Sequence, residues 1–142
     1  MLEIRTEGDK VLRQKAKRIA NIDDSLRTLC ASMCATMYGN KGIGLAAPQV
    51  GVSKRIIVVD DNGKPLILIN PEIVFYSEDK VEMEEGCLSI PGEFKFVSRP
   101  ETIKVKFRDT KGKPHFNTYN GLISRIIQHE VDHLEGVLMN DK

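Results

Sequence analysis

Residues 121 to 136 read GLISRIIQHEVDHLEG, and the fold turns on how this stretch is placed. Apolar residues at 122, 123, 126, 127, 131 and 134 leave little of a helical circumference polar. A helix that is apolar nearly all round is a buried helix. It starts near Asn120 or Gly121 and runs to Gly136. His129 and His133 are four residues apart, so they stack on one face. Glu130 lies about 100° further round and flanks that face. Two imidazoles so placed can hold one metal ion, and a carboxylate beside them can take a proton from water there, which is the physical content of H-E-x-x-H. The motif is short enough to arise by chance on an exposed helix. On a buried one, two histidines, Glu130 and Asp132 are costly without partners, and this favours the metal reading.

Upstream of the helix the texture is that of strands. Arg55 to Asp60 (RIIVVD) and Leu66 to Ile69 (LILI) are β-branched runs joined by DNGKP, a hairpin signal. Ile73 to Phe75 and Val81 to Met83 are weaker strand candidates. Thr102 to Arg108 alternates, with Ile103, Val105 and Phe107 on one face and Lys104, Lys106 and Arg108 on the other. A turn at Asp109 to Gly112 lets His115 to Tyr119 return as its partner. Earlier still, Leu26, Leu29, Cys30, Met33, Cys34 and Met37 trace an amphipathic helix, capped by Asp23 or Asp24 and ended by Gly39-Asn40. A short helical segment is expected around Val11 to Lys17. The fold class is α+β, with antiparallel strands packed around a buried C-terminal helix that carries the HExxH motif.

The 142 residues suit one domain, 1–142, with one core. A net charge of +1 provides no long-range field toward nucleic acid or an anionic membrane, so neither is an expected partner. No apolar run approaches the ~20 residues of a membrane span, and the first residues lack a signal-peptide pattern. The expected location is the cytoplasm. Three cysteines do not make a disulfide framework. Cys30 and Cys34 belong to the apolar stripe of the first long helix, and His115 reads as surface.

A catalytic metal site needs a third protein ligand and an open position. The proteases that complete the site with a histidine six residues after H-E-x-x-H are not matched, since that position is Met139. The ligand is therefore sought upstream, in EEGCLSIPG, residues 84 to 92. Gly86 frees the backbone before Cys87, and Pro91-Gly92 is read as the turn after it. An isolated free cysteine more often packs as a small apolar group. Beside a two-histidine helix that lacks a ligand, the thiolate reading is preferred. Arg99 can pair with Asp132 or Glu85 and steady the ligands. KGIGLAAPQVG, residues 41 to 51, carries Gly42 and Gly44, which allow close backbone approach, and Gln49 after the rigid Pro48.

GIGLAAPQ, EGCLS and QHEVDH, in this order, resemble the three signature motifs of peptide deformylase. The resemblance implies removal of the formyl group from the N-terminal formyl-methionine of newly made proteins, on an α+β fold. It implies metal ligation by Cys87, His129 and His133, with Glu130 as general acid/base. It implies oxyanion stabilisation by Gln49 and the backbone N–H of Leu88. The implied cofactor is one divalent ion per chain, Fe2+ first, with Zn2+, Ni2+ or Co2+ as substitutes. The implied partners are N-formylmethionyl peptides and nascent chains, met by a monomer. Gly42, Ile43, Gly44 and Gly86 are expected along the substrate, and Ile43, Leu122 and Ile126 as walls for its methionine. The sequence stops nine residues after His133, so it resembles short forms without a C-terminal helical extension, and ribosome docking by such a helix is not expected. The competing readings are a metallopeptidase, from H-E-x-x-H alone, and a non-catalytic metal-binding module.

Overall fold

The computed structural model describes residues 1–142. Helix α1 spans Asp24–Gly39 and starts where the Asp23 carboxylate accepts the Leu26 N–H at 2.9 Å. Then come β1 (Gly44–Ala46), β2 (Ile56–Asp61), β3 (Lys64–Tyr76), β4 (Lys80–Cys87), β5 (Ile90–Pro100), β6 (Thr102–Arg108), β7 (Pro114–Asn120) and α2 (Gly121–Leu134). Five strands form an antiparallel sheet in the order β1-β2-β3-β6-β7, and β4 pairs with β5 as a separate ribbon.

β2 explains why its sequence is an unbroken apolar run. Ile57 and Val59 face α2, packing with Leu68, Ile103, Val105, Ile126, Ile127 and Leu134. Ile56 and Val58 face α1, packing with Leu26, Cys30, Met33 and Met37. A strand covered on both faces has no polar side to display. β6 has one covered face, so it alternates as its sequence requires. A third apolar cluster, Leu12, Ile90, Val97, Leu138 and Met139, joins the N-terminal segment, the ribbon and the C-terminal segment.

The expected helix at Val11 to Lys17 shrinks to a 3-10 turn, Lys10–Arg13. Beyond it the N–H groups are spent elsewhere: Ala16 donates to the Leu134 carbonyl at 2.8 Å and Lys17 to Ser53 at 3.0 Å. The segment thereby satisfies a carbonyl at the end of α2, and a local helix would forfeit both bonds. The strand candidates at 66–69 and 73–75 are one strand, β3, with a shift in register between Ile69 and Glu72. Asn70 sits there at φ 53° with its amide bonded to both backbone groups of Ile19. Residues 84–92 are no open loop. β4 runs to Cys87, which pairs with Ile90, so Leu88 and Ser89 form the hairpin tip. Pro91 and Gly92 lie inside β5, where an irregularity absorbs them. β5 had no expected counterpart because part of its pattern is inverted: Phe94 and Phe96 point out and Arg99 is buried, although Ile90 and Val97 are buried as in an ordinary strand. α2 ends at Leu134, two residues before the expected Gly136.

Ile127 has no exposed surface and sits in the core that fixes α2 against the sheet. Ile127→Ala is expected to lower the unfolding free energy by about 2–5 kcal/mol. Urea denaturation reads this directly, and a change within about 0.5 kcal/mol, as at surface sites, would contradict the packing.

Candidate metal centre

The helical period of α2 sets His129 and His133 with ring centres 5.1 Å apart, edge to face. Strand β4 ends by bringing Cys87 to them, its Sγ 3.3 Å from His133 Nε2. One donor atom from each of Cys87, His129 and His133 lies within 4.8 Å of the others. Four-coordinate bonds of about 2.0–2.3 Å place ligand atoms roughly 3.3–3.6 Å apart, so the three donors would draw together to share one divalent ion. A thiolate with two imidazoles suits zinc or ferrous iron.

Around these donors the polar groups are individually held. Glu85, two residues before Cys87 on β4, is buried and accepts from His129 Nδ1 at 2.9 Å. Arg99 clamps the same carboxylate through Nε at 2.5 Å and Nη2 at 2.9 Å, and donates to Asp132 at 2.9 Å. Both partners read from the sequence for Arg99 are therefore used. Arg125 adds a bond to Glu85 at 2.6 Å and others to the Val97 and Val81 carbonyls. The sequence reading missed Arg125, although its i−4 spacing from His129 places it on the same helical face.

Gln49 sits on a 3-10 turn, Ala47–Val50. Its Oε1 accepts the Ala46 N–H at 2.9 Å, which turns Nε2 toward Cys87 Sγ at 3.5 Å and Ser89 Oγ at 3.2 Å. Glu130 is buried, and its Oε1 has no hydrogen-bond partner in the protein. β1 approaches it closely enough that a Cβ on Gly44 would stand 2.5 Å from Oε2 and 2.7 Å from Ile126 Cγ2. Glycine is required there by space.

Burial pushes the Glu130 carboxyl up to about 7. Burial alone would raise Glu85 as well, but bonds from His129 and Arg99 outweigh it and hold Glu85 at about 2. Burial lowers His133 to about 3. His129 is opposed by burial yet raised to about 10 by Cys87 and Glu85. A metal ligand must be neutral imidazole, so His129 would have to give up a proton to serve as one.

The sequence-derived residues converge. Gly42, Ile43, Gly44, Gln49, Gly86, Cys87, Leu88, His129 and Glu130 line one cleft of about 450 Å³. Ile43, Gly86, Leu122 and Ile126 line an adjoining hollow of about 100 Å³, together with Met83, which the sequence reading did not include. Cys30 and Cys34 stay in the α1 core. His115 is half-buried, stacked on Phe107 at 5.0 Å and bonded to Asp109 at 2.8 Å, a partner its sequence context did not reveal. No helix is long and apolar enough to cross a membrane.

A cysteine and two histidines around one point, with a carboxylate and a carboxamide beside them, define a metal-dependent hydrolase. The chain belongs to the polypeptide deformylase family, whose model matches residues 1–142. Members of this family remove the N-formyl group from nascent peptides. A peptide deformylase of Picosynechococcus is 56% identical over 146 aligned positions, covering 99% of this chain and 78% of the relative. The crystal structure of peptide deformylase from Thermotoga maritima superposes with a TM-score of 0.98 at 44% identity, covering 100% of this chain and 97% of that one. That of a peptide deformylase from Synechococcus elongatus in complex with actinonin gives 0.96 at 51% identity, with 99% and 77% covered.

Glu85→Gln keeps the side-chain shape but leaves Arg125 buried without a counter-charge and Arg99 with Asp132 alone. The expected loss is about 3–5 kcal/mol of folding stability and roughly 10–100-fold in metal affinity. Thermal denaturation and a competitive chelator titration measure the two effects.

Proposed function

We propose that residues 1–142 act as one catalytic domain that hydrolyses the formyl amide of formyl-methionyl N-termini, releasing formate. The observation that carries this is the unpartnered, buried Glu130 carboxylate beside the Cys87, His129 and His133 donors. A divalent ion held by these three residues, Fe2+ first and Zn2+, Ni2+ or Co2+ as substitutes, would supply a Lewis acid and an acidified water.

Glu130 takes the proton of the attacking water and passes it to the leaving amine. Its burial, which raises its pKa toward neutrality, suits both halves of that exchange. The formyl oxygen gains charge as the carbon becomes tetrahedral. Gln49 Nε2 and the Leu88 N–H donate to it. The Ala46 N–H, by holding Gln49 Oε1, keeps the donating end of the amide toward the cleft.

The peptide binds extended, along β1. The Ile43 carbonyl accepts the Asp60 N–H at 2.8 Å, so strand alternation turns the Gly44 N–H and C=O to the open edge. Such an edge can take an added strand. Ile43, Leu122, Ile126 and Gly86 surround the hollow for the methionine side chain. The enzyme works as a monomer on formylated nascent chains in the cytoplasm. A metallopeptidase reading is disfavoured by Cys87 in the third ligand position.

Formate release from formyl-Met-Ala-Ser, assayed anaerobically with Fe2+, is the direct test. Hydrolysis of an internal peptide bond with no formate would favour the peptidase. Gln49→Leu is expected to fold, retain metal and lose a factor of about 10²–10³ in turnover; full turnover would remove Gln49 from the oxyanion site. Replacing formyl-methionine with formyl-glycine is expected to lower kcat/KM, and equal values would exclude the hollow as the methionine pocket.

A further inference from the structure

The face of the five-stranded sheet opposite α2 is covered by α1 over β2 and the first half of β3, and is bare over β6 and β7. Lys104, Lys106 and Arg108 stand there on alternate residues of β6, all exposed. Alternation spaces them about 7 Å apart, comparable with the phosphates of an extended nucleic-acid strand. Arg18 and Arg108 both border two adjoining hollows, one reaching Lys106 and Phe116 and the other reaching Lys111, so the basic strip continues past the end of β6. Arg18, Lys104, Lys106, Arg108, Lys111 and Lys113 take part in no ion pair. Glu72, level with Lys106 on β3, is the one carboxylate facing that row of β6. A chain of net charge +1 has no long-range field, but it has a concentrated local one here.

Two aromatic rings are set into this strip. Phe75 lies level with Lys104 and is 44% exposed; Phe116 lies level with Lys106 and is 56% exposed. The lysine ammonium groups lie 5.2 and 6.0 Å from the respective ring centres. An acidic protein would use the cations and have little use for exposed aromatic rings, each of which keeps one face away from its lysine. A single-stranded nucleic acid uses both, because phosphates pair with cations while unstacked bases lie on aromatic rings.

We infer that this sheet face binds a single-stranded nucleic acid, with phosphates along Arg18, Lys104, Lys106 and Arg108 and bases on Phe75 and Phe116. The surface is formed by the sheet face turned away from α2 and is independent of the deformylase reading.

Fluorescence anisotropy with a labelled single-stranded oligouridylate, using the whole metal-loaded protein, tests it. Four phosphate contacts give a log–log salt slope of about −2.8, or about 50-fold weaker binding between 50 and 200 mM salt. The triple variant Lys104→Glu, Lys106→Glu, Arg108→Glu is expected to abolish binding while formate release and melting temperature stay unchanged. The pair Phe75→Ala, Phe116→Ala is expected to weaken binding by at least about fivefold per ring with the salt slope preserved. Absence of binding at 50 mM salt, or wild-type binding by the triple variant, overturns the proposal. Unchanged binding by the phenylalanine pair, with polyglutamate competing as well as the oligonucleotide, also overturns it and assigns the face to acidic proteins.

Discussion

The arrangement depends on one buried carboxylate. Glu85 leaves water at a cost that only paired charge and complete hydrogen bonding can offset. Arg99 from β5, Arg125 and His129 from α2 provide both, closing on its two oxygens from three directions. The ribbon β4-β5 is thereby locked to α2 by charge as well as by apolar packing. Because strand side chains alternate, the residue that shares Glu85's face two positions on is Cys87. One strand period therefore supplies the carboxylate that orients His129 and the thiol that meets His133.

The same economy organises the reacting groups. Glu130 is kept close to β1 because Gly44 has no side chain, and Gln49 is aimed by a backbone N–H three residues earlier. The bond from the Ala46 N–H holds Gln49, so its donating end needs little reorganisation as charge develops on a substrate. Glu130 Oε1 and His133 Nδ1 are buried without a partner among the protein's own groups, and burial shifts both carboxyl and imidazole away from their ordinary values.

The large sheet separates two kinds of surface. Its α2 face builds the core behind the metal centre, and β1 at one edge borders the cleft. Its other face is shielded by α1 over β2 and the first half of β3, which leaves the end of β3, β6 and β7 with a bare, basic and partly aromatic side. That division follows from the reach of a single 16-residue helix across a five-stranded sheet.

Much of this was legible in the residues. Spacing along α2 set His129, Glu130 and His133 on adjoining faces and alternation defined β6 from Thr102 to Arg108, because each signal is local and periodic, while three ordered motifs carried a resemblance to the family. Contacts across the chain were not legible. The 3-10 turn at Lys10–Arg13, the joining of two strand candidates into β3 and the hairpin at Cys87 were decided by backbone groups finding partners in distant segments. β5 escaped notice because it buries Arg99 and exposes Phe94 and Phe96, at those positions the reverse of an ordinary amphipathic strand. That inversion is stable only because Glu85 and Asp132 wait inside to meet the guanidinium, and such a pairing exists only once β4, β5 and α2 have packed together.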